Sequence, residues 1–196
     1  MDSQTKDTRS HILSVGRCLT ARQGYSGVGL NALLKAADVP KGSFYHYFAS
    51  KEAYGCALLD DFVTQYRIKL GDTLFDQELN ARERLLNYFD GWFNNQTGPN
   101  PQDRCLVVKL SAEVADLSAD MSKILQQGVS DIIQSLADTI ESGIADGSIA
   151  TIHNPVDLAQ SIYHQWLGAS LVAGLAQDDA PLKAAMKATK RAIPPG

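Results

Sequence analysis

The sequence predicts an all-α protein, and three observations support this prediction. Apolar residues recur at the spacing of an amphipathic helix along most of the chain. The alternation of apolar and polar residues that indicates a half-buried strand is hardly seen. Capping residues, glycines and prolines stand where one periodic segment ends and the next begins. From these breaks we expect about nine or ten helices.

Four helices are expected in the first part of the chain. Each begins at a residue that favours a helix start, and glycine or a change of pattern ends the first two. The expected bounds are from about Thr5 to Gly24, from Gly29 to a residue before Asp38, from Pro40 to about Phe48, and onward from Ser50.

The remaining helices follow the same logic. Asn80 and Glu83 have the spacing of a capping box, and Asn154 precedes a proline that suits a first helical turn. Residues 94–104 have the composition of a loop. Further helices are expected over residues 104–117, 118–146, from 154 onward, and from 181 to the prolines at 194 and 195.

Size and composition limit the class of protein. A chain of 196 residues can bury a core without disulfide bonds. No apolar run approaches the roughly 20 residues that span a bilayer. The polar start "MDSQTKDTRSH" has no secretory signal, so we expect a cytoplasmic protein with no membrane partner.

Charge is distributed unevenly along the chain. The first 55 residues contain seven basic and four acidic residues, a net charge of +3. The remainder contains 11 basic and 18 acidic residues, a net charge of -7. A basic head on an acidic body is typical of a protein that binds nucleic acid through its head, although chance clustering of solvated charges gives the same numbers.

The stretch "FYHYF" over residues 44–48 concentrates aromatic rings in a very short predicted helix. Phe44 and Phe48 share one face, and we expect them to be buried anchors. The preceding segment and this one have the length and break of a helix-turn-helix, whose second helix enters the DNA major groove. The residues left on the outer surface, together with a lysine that follows, are Lys41, Gly42, Ser43, Tyr45, His46, Tyr47 and Lys51.

These outer residues have the chemistry of DNA contacts. Tyrosine and histidine donate to phosphate oxygens, and a tyrosine ring can lie against a thymine methyl group. Gly42 lacks a side chain, which permits close approach of the helix start to a phosphate. His46 has no nearby nucleophile or carboxylate at relay spacing, and the cysteines have no metal-ligand spacing. We therefore predict that the protein is not an enzyme and has no metal site or cofactor.

The segment "LLKAADVPKGSFYHYFASKEAYGCALL" resembles the DNA-binding head of the TetR family of transcriptional regulators. The resemblance implies a homodimer that represses transcription from a pseudo-palindromic operator. It implies a helix-turn-helix DNA-binding domain over residues 1–50 and a C-terminal sensing and dimerisation domain over residues 51–196. It also gives DNA-contact roles to the seven outer residues named above.

Cys105 lies near the predicted start of a helix, in "DRCLVVKLSAEV". A helix N-terminus, the adjacent Arg104 and the nearby Lys109 favour a thiolate, so we expect a thiol pKa below the free value of about 8.5 and reactivity towards electrophiles or oxidants. The alternative is an inert buried cysteine. Cys18 and Cys56 are expected to be core residues.

Within the family, "VKLSAEV", "DLS" and "WLGA" are similar to repressors that sense reactive electrophiles through a cysteine before the first of these segments. The resemblance assigns that role to Cys105. A lysine linked to the sensing cysteine in such repressors has no equivalent amine near Gly174. Sulfenylation, alkylation or a disulfide between subunits is therefore favoured over a sulfur-nitrogen bond.

Two features of the C-terminal part leave alternatives open. Aromatic side chains at Tyr66, Tyr88, Phe89 and Trp92 are candidates for a ligand pocket, which would allow a reversibly bound hydrophobic or aromatic inducer, or they belong to the core. Small residues around Gly168 and Gly174, beside Trp166 and Leu171, indicate either a two-fold dimer interface or packing within one subunit.

Overall fold

The structure is a computed structural model of the chain, and it describes residues 2–100 and 104–196. In these ranges all regular structure is helical, which confirms the all-α prediction. The described residues form nine helices: α1 (Asp2–Gln23), α2 (Leu30–Ala36), α3 (Lys41–Tyr47), α4 (Lys51–Leu74), α5 (Ala81–Thr97), α6 (Leu106–Leu117), α7 (Ala119–Ala145), α8 (Pro155–Ala176) and α9 (Ala180–Ala192).

Predicted caps hold several helix ends. The Asn80 side chain accepts from the Glu83 backbone N–H at 3.0 Å, and the Glu83 carboxylate accepts from the Asn80 N–H at 3.1 Å, which completes the capping box of α5. Ser50 Oγ accepts from the Ala53 N–H at 3.0 Å at the start of α4. Gly24 and Gly147 both have φ of +77°, the left-handed conformation that glycine adopts easily.

Three predicted boundaries are wrong. Pro40 is the N-cap of α3, with an extended backbone, so the helix begins one residue later. α5 continues to Thr97, beyond the predicted loop start at residue 94, because the Gly98 N–H still donates to Asn94 O at 2.8 Å. α6 begins at Leu106, which leaves Cys105 just outside it. Residues 101–103 of the predicted loop lie outside the described residues.

One compact unit comprises Met1–Gln65 and Lys109–Gln126. Ile12, Leu33, Phe44 and Leu58 are at most 2% exposed and form its apolar interior. Burial of such side chains contributes about 1.5–3 kcal/mol each relative to an exposed side chain. This interior fixes α2 and α3 against α1 and the beginning of α4.

The second compact unit comprises Tyr66–Val108 and Gln127–Gly196. Its core contains two tryptophans whose indole N–H groups are both satisfied. Trp166 stacks on Phe89 with ring centroids 5.1 Å apart and donates to Thr189 Oγ1 at 2.9 Å. Trp92 donates to Ser170 Oγ at 3.0 Å. The hydroxyl partners allow large aromatic rings to be buried without an unpaired donor.

The boundaries of these two compact units do not coincide with the predicted domain division at residue 50. That division stays a prediction. Among the described residues, no helix has both the length and the apolar character needed to cross a membrane.

Candidate functional site

The α2–α3 pair is held by the two phenylalanines that the sequence predicted as anchors. Phe44 is 0% exposed and Phe48 is 3% exposed. Both rings contact Tyr54, with centroid distances of 5.5 and 5.2 Å. Asp38, at φ of 51°, makes the tight turn between the helices in a conformation that aspartate tolerates better than most residues. Burial of both phenylalanines confirms the prediction.

The predicted outer surface of α3 is mostly exposed. Tyr45 is 46% exposed, and Lys41, Gly42, His46 and Lys51 are also exposed. Ser43 and Tyr47 are half-buried. The Tyr47 ring packs against the rings of His46 and Phe48, with centroid distances of 4.9 and 6.4 Å. The helix therefore presents cations, a histidine and tyrosine edges together on one short element.

Two of the lysines lie close to aromatic rings. Lys41 Nζ is 5.9 Å from the centroid of the Tyr45 ring, and Lys51 Nζ is 5.2 Å from that of Tyr25. Contacts of this kind stabilise an exposed lysine by about 0.5–1 kcal/mol and restrict its position. The α3 surface is thus partly preorganised for an anionic partner.

A carboxylate on α6 binds the turn between α1 and α2, and sequence reasoning missed it. Glu113 accepts from the backbone N–H of Tyr25 at 3.1 Å and from that of Ser26. Lys109, on the same helix, donates to Arg22 O at 3.0 Å. The only sequence signal was the placement of these charges inside the "VKLSAEV" segment.

The pKa of Glu113 lies below its ordinary value. Burial acts to raise this pKa, but hydrogen bonds from the side chain and backbone of Ser26 and from the Tyr25 backbone outweigh it, with help from Lys109. Hydrogen bonding to the ionised form favours the carboxylate. Glu113 is therefore held as an anion at neutral pH.

The Cys105 thiol differs from the sequence-based expectation. Burial raises its pKa, although the backbone N–H groups of Val108 and Val107 act to lower it. Lys109, which was expected to favour the thiolate, donates instead to Arg22 O. The expected low pKa is thus wrong, because desolvation by residues distant in sequence outweighs the helix start. The residue as a whole is half-buried.

Three tyrosines, two of them buried, belong to the same compact unit as Cys105. Cys105 and Tyr66 are partly buried and pack against the core cluster that contains Tyr88 and Tyr163. The Tyr66 and Tyr88 hydroxyls are 2.8 Å apart and hydrogen-bond to each other. Burial raises the pKa of all three phenols, and Cys105 contributes to the increase in each case.

The Tyr163 hydroxyl is the unusual member of this group. It is buried and has no hydrogen-bond partner among the residues that the structure describes. Leaving a buried hydroxyl unpaired costs about 1–3 kcal/mol. The hydroxyl therefore has a free donor and free acceptor positions inside the core.

The predicted pocket residues lie together but are packed as core. Tyr88, Phe89 and Trp92 are at most 7% exposed and contact one another or Trp166. A groove of about 410 Å³ in the same unit is lined by different residues: Arg67, Leu70, Gly71, Leu74, Phe75, Asp131, Gln134 and Ser135. That these aromatic residues line a ligand pocket stays a prediction.

The other thiols and histidines form no candidate centre. Cys18 and Cys56 are free and half-buried. Among the described residues, no group of three or more histidines, cysteines or carboxylates is placed to hold a metal ion.

Family models match both halves of the chain. The model described as bacterial regulatory proteins, tetR family, matches residues 12–53, which include α2 and α3. The model described as the tetracyclin repressor-like C-terminal domain matches residues 81–189.

Two curated relatives are similar over most of their length. The HTH-type transcriptional repressor NemR of Escherichia coli K12 is 41% identical over 187 residues, covering 95% of this chain and 94% of NemR. The HTH-type transcriptional repressor DhaR of a Mycobacterium species (strain GP1) is 30% identical, covering 89% and 86%. A crystal structure of the reduced form of E. coli NemR superimposes with a TM-score of 0.92 at 40% identity, covering 97% of this chain and 98% of that one.

Proposed function

The chain belongs to the TetR family of bacterial regulatory proteins, and on that premise we propose that it is a dimeric repressor which reactive electrophiles or oxidants release from DNA through Cys105. Members of this family are transcriptional regulators and not enzymes. The finer elements of the proposal are the DNA contacts, the sensing thiol and the dimer interface.

For DNA binding, we assign α3 as the recognition helix. Exposure of Lys41, Tyr45 and His46 beside Lys51 supports this role, since these groups suit phosphate oxygens and base edges. Ser43 and Tyr47 are less exposed and contribute at the edge of the same surface. Substitution of Lys41 by alanine should weaken operator binding and reduce its salt dependence by about one phosphate contact.

For sensing, one observation carries the proposal: Cys105 lies immediately before α6 and packs against the core cluster of the second compact unit. Adding atoms at this position forces its packed neighbours to move. α6 carries Lys109, which donates to Arg22 O at the end of α1, and Glu113, which binds the turn that follows α1. A change at Cys105 is thus made next to the first turn of the helix whose Lys109 and Glu113 contact α1 and the turn after it.

The similarity to NemR supports a thiol mechanism. The superimposed crystal structure is that of the reduced form of E. coli NemR, and a protein with a distinct reduced form has a redox-active group. The match extends over nearly the whole of both chains and includes the region of Cys105. The amine at the Gly174 position is absent, so the modified state we propose is an alkylated or sulfenylated thiol, or a disulfide with the partner subunit.

Footprinting on the protein's own upstream DNA, with and without N-ethylmaleimide, tests the proposal. We expect protection that the reagent removes in the wild-type protein and in Cys18→Ser and Cys56→Ser, the matched controls. Protection should persist in Cys105→Ser. If N-ethylmaleimide releases the Cys105→Ser protein as readily as the wild type, the thiol-sensing role is wrong.

The alternative inducer is a reversibly bound hydrophobic or aromatic ligand in the C-terminal unit. The groove of about 410 Å³, which Arg67 and Phe75 help to line, supports this alternative because it offers space for a small ligand. Calorimetry with the Cys105→Ser protein separates the two mechanisms, because a groove ligand still binds without the thiol. Heat of binding that depends on Cys105 would contradict this alternative.

A further inference from the structure

Tyr25 lies in the turn that follows α1, and its side chain contacts the first residue of α4. The Tyr25 hydroxyl donates to the backbone oxygen of Lys51 at 2.6 Å. The Lys51 Nζ atom lies 5.2 Å from the centroid of the Tyr25 ring. Tyr25 is 6% exposed, so one buried side chain contacts both the backbone and the ammonium group of an exposed lysine.

Gly55 leaves the space that the Tyr25 hydrogen bond needs. It lies one helical turn after Lys51, and a Cβ at this position would stand 2.6 Å from Tyr25 Oη. An atom at that distance forces the hydroxyl to move off the Lys51 oxygen. Burial raises the pKa of the Tyr25 phenol to about 12, so the hydroxyl keeps its proton and is a donor at neutral pH.

Tyr25 is itself held in place from α6. The Glu113 carboxylate accepts from the Tyr25 backbone N–H at 3.1 Å and from the neighbouring Ser26 N–H. Hydrogen bonds to a charged acceptor are stronger than those between neutral groups. The backbone of Tyr25 is thus fixed by Glu113, and its hydroxyl is fixed by the Lys51 oxygen.

The charge of Lys51 is available to an anionic partner. Among the residues that the structure describes, none of the ion pairs includes Lys51. The carboxylate of the adjacent Glu52 accepts from Ser118 Oγ at 2.6 Å. A free lysine side chain loses rotamer entropy when a phosphate fixes it, and a contact that already restricts the side chain reduces that loss.

We infer that Tyr25 is a positioning residue for operator binding: its hydroxyl and ring hold Lys51 where the ammonium group meets a DNA phosphate. Tyr25 acts through Lys51 and makes no DNA contact of its own, because it is buried. The inference rests on the proposed DNA contact of Lys51, and it adds a residue outside α3 to the DNA-binding machinery.

Lys41 shows why this effect is specific to Lys51. The Lys41 Nζ atom lies 5.9 Å from the ring centroid of Tyr45, which is 46% exposed and belongs to the same short helix. Lys51 instead contacts a buried ring that is held at its backbone and at its hydroxyl. Loss of the Tyr25 hydroxyl should therefore change the phosphate contact of Lys51 and leave that of Lys41 unchanged.

A double-mutant cycle on operator binding, with gel-shift titrations at several salt concentrations, tests the inference. Lys51→Ala should weaken binding about fivefold to tenfold at low salt and reduce the salt dependence by about one phosphate contact. Tyr25→Phe keeps the buried ring and removes one oxygen, and it should weaken binding about threefold and reduce the salt dependence in the same direction. In the Lys51→Ala protein, Tyr25→Phe should change the affinity less than about 1.5-fold, because its effect passes through Lys51.

Tyr54→Phe is the matched control. It removes a buried hydroxyl of α4 that has no hydrogen-bond partner among the described residues. Operator affinity and its salt dependence should both stay at the wild-type values. Thermal unfolding of each variant is measured as well, since a purely structural defect lowers the unfolding midpoint and leaves the salt dependence of binding unchanged.

Unchanged operator affinity in Tyr25→Phe, or an equal loss with and without Lys51, would overturn the inference. Gly55→Ala is a second variant, because its methyl group displaces the Tyr25 hydroxyl without removing it. Its loss of affinity should likewise disappear in the Lys51→Ala protein, and a loss that persists there would count against the inference. If Lys51→Ala binds the operator as tightly as the wild type, the proposed DNA contact of Lys51 is wrong and the inference falls with it.

Discussion

Gly42 lies at the exposed start of α3, and nothing lies within 4 Å of the position that a Cβ would occupy. The subunit itself therefore has no need of glycine there. Because alanine has a higher helix propensity than glycine, Gly42→Ala should leave the free energy of unfolding unchanged or raise it by up to about 1 kcal/mol. Operator affinity should nevertheless fall, since the added methyl group occupies space needed by a DNA phosphate. Gel-shift titration and thermal unfolding measure the two effects.

Gly91 provides the matched control for this substitution. It lies inside α5 and likewise has no atom within 4 Å of its Cβ position. Gly91→Ala should raise helix stability by a similar amount and leave operator affinity unchanged. Undiminished operator affinity in the Gly42→Ala protein would show that the DNA does not approach α3 at that position.

The residue scale shows what sequence reasoning could and could not find. The burial of Phe44 and Phe48 follows from helical spacing alone, and it was predicted correctly. The thiol pKa of Cys105 was predicted in the wrong direction, because the main cause of its shift is burial, and Cys105 packs against a core cluster that contains Tyr88 and Tyr163. Spacing along one helix contains no information about such neighbours.

At the scale of elements, Glu113 links α6 to the α1–α2 segment in a pH-dependent way. Its folded-state pKa is below the unfolded value of about 4.3, so its stabilising contribution is present above that pH and is lost as pH falls through the folded pKa. Glu113→Gln should therefore be less stable than the wild type at pH 7, with a difference that shrinks below pH of about 4. Urea unfolding followed by circular dichroism at both pH values measures it.

Asp116→Asn is the control for Glu113→Gln, because it removes an exposed carboxylate from the same helix. Its unfolding midpoint at pH 7 should stay close to that of the wild type. A Glu113→Gln difference that is equally large at pH 7 and pH 3 would contradict the charged link and would indicate a packing effect.

Gly55 marks a close approach within the first compact unit. A Cβ at this position of α4 would lie 2.6 Å from Tyr25 Oη and 2.8 Å from Met121 Sδ. Tyr25 cannot move away easily, because its hydroxyl donates to Lys51 O at 2.6 Å. Gly55→Ala should thus destabilise the protein by about 1–3 kcal/mol, measured by urea unfolding.

Gly71→Ala, also in α4, is the matched control for Gly55→Ala. Its Cβ would meet only the Phe75 ring, at 3.6 and 3.7 Å, which is ordinary contact. The substitution should stabilise α4 slightly through helix propensity. Equal changes in the free energy of unfolding for the two substitutions would mean that the residues around Gly55 can move to accommodate a methyl group without loss of stability.

Element boundaries were predictable where a side chain makes the cap. Ser50, Asn80 and Glu83 were identified because capping is local chemistry with a fixed spacing. The end of α5 was misplaced because polar composition resembles a loop, while the backbone there continues its hydrogen bonds to Gly98. The contacts of Glu113 join residues far apart in the sequence and gave no local signal.

At the scale of the whole molecule, fold class and family followed from the sequence, whereas the sites that depend on packing did not. The segment "LLKAADVPKGSFYHYFASKEAYGCALL" was enough to identify the DNA-binding head, since its residues are contiguous in the sequence. The group around Cys105 draws on α4, α5 and α8, so only the folded chain brings Tyr66, Tyr88 and Tyr163 together.

At the same scale, we propose that the dimer interface lies on the outer face of α8. Trp166 and Ser170 are buried within the subunit, whereas Leu171, Val172 and Leu175 are 54%, 51% and 79% exposed. Exposed apolar side chains on one helix are typical of a subunit contact.

Leu175→Glu should shift the protein from dimer to monomer in sedimentation and weaken operator binding, because one head reads only half of a two-fold site. Ile68→Glu, an equally drastic change at a 55% exposed residue of α4, should leave the dimer intact. A dimeric Leu175→Glu protein would place the interface elsewhere.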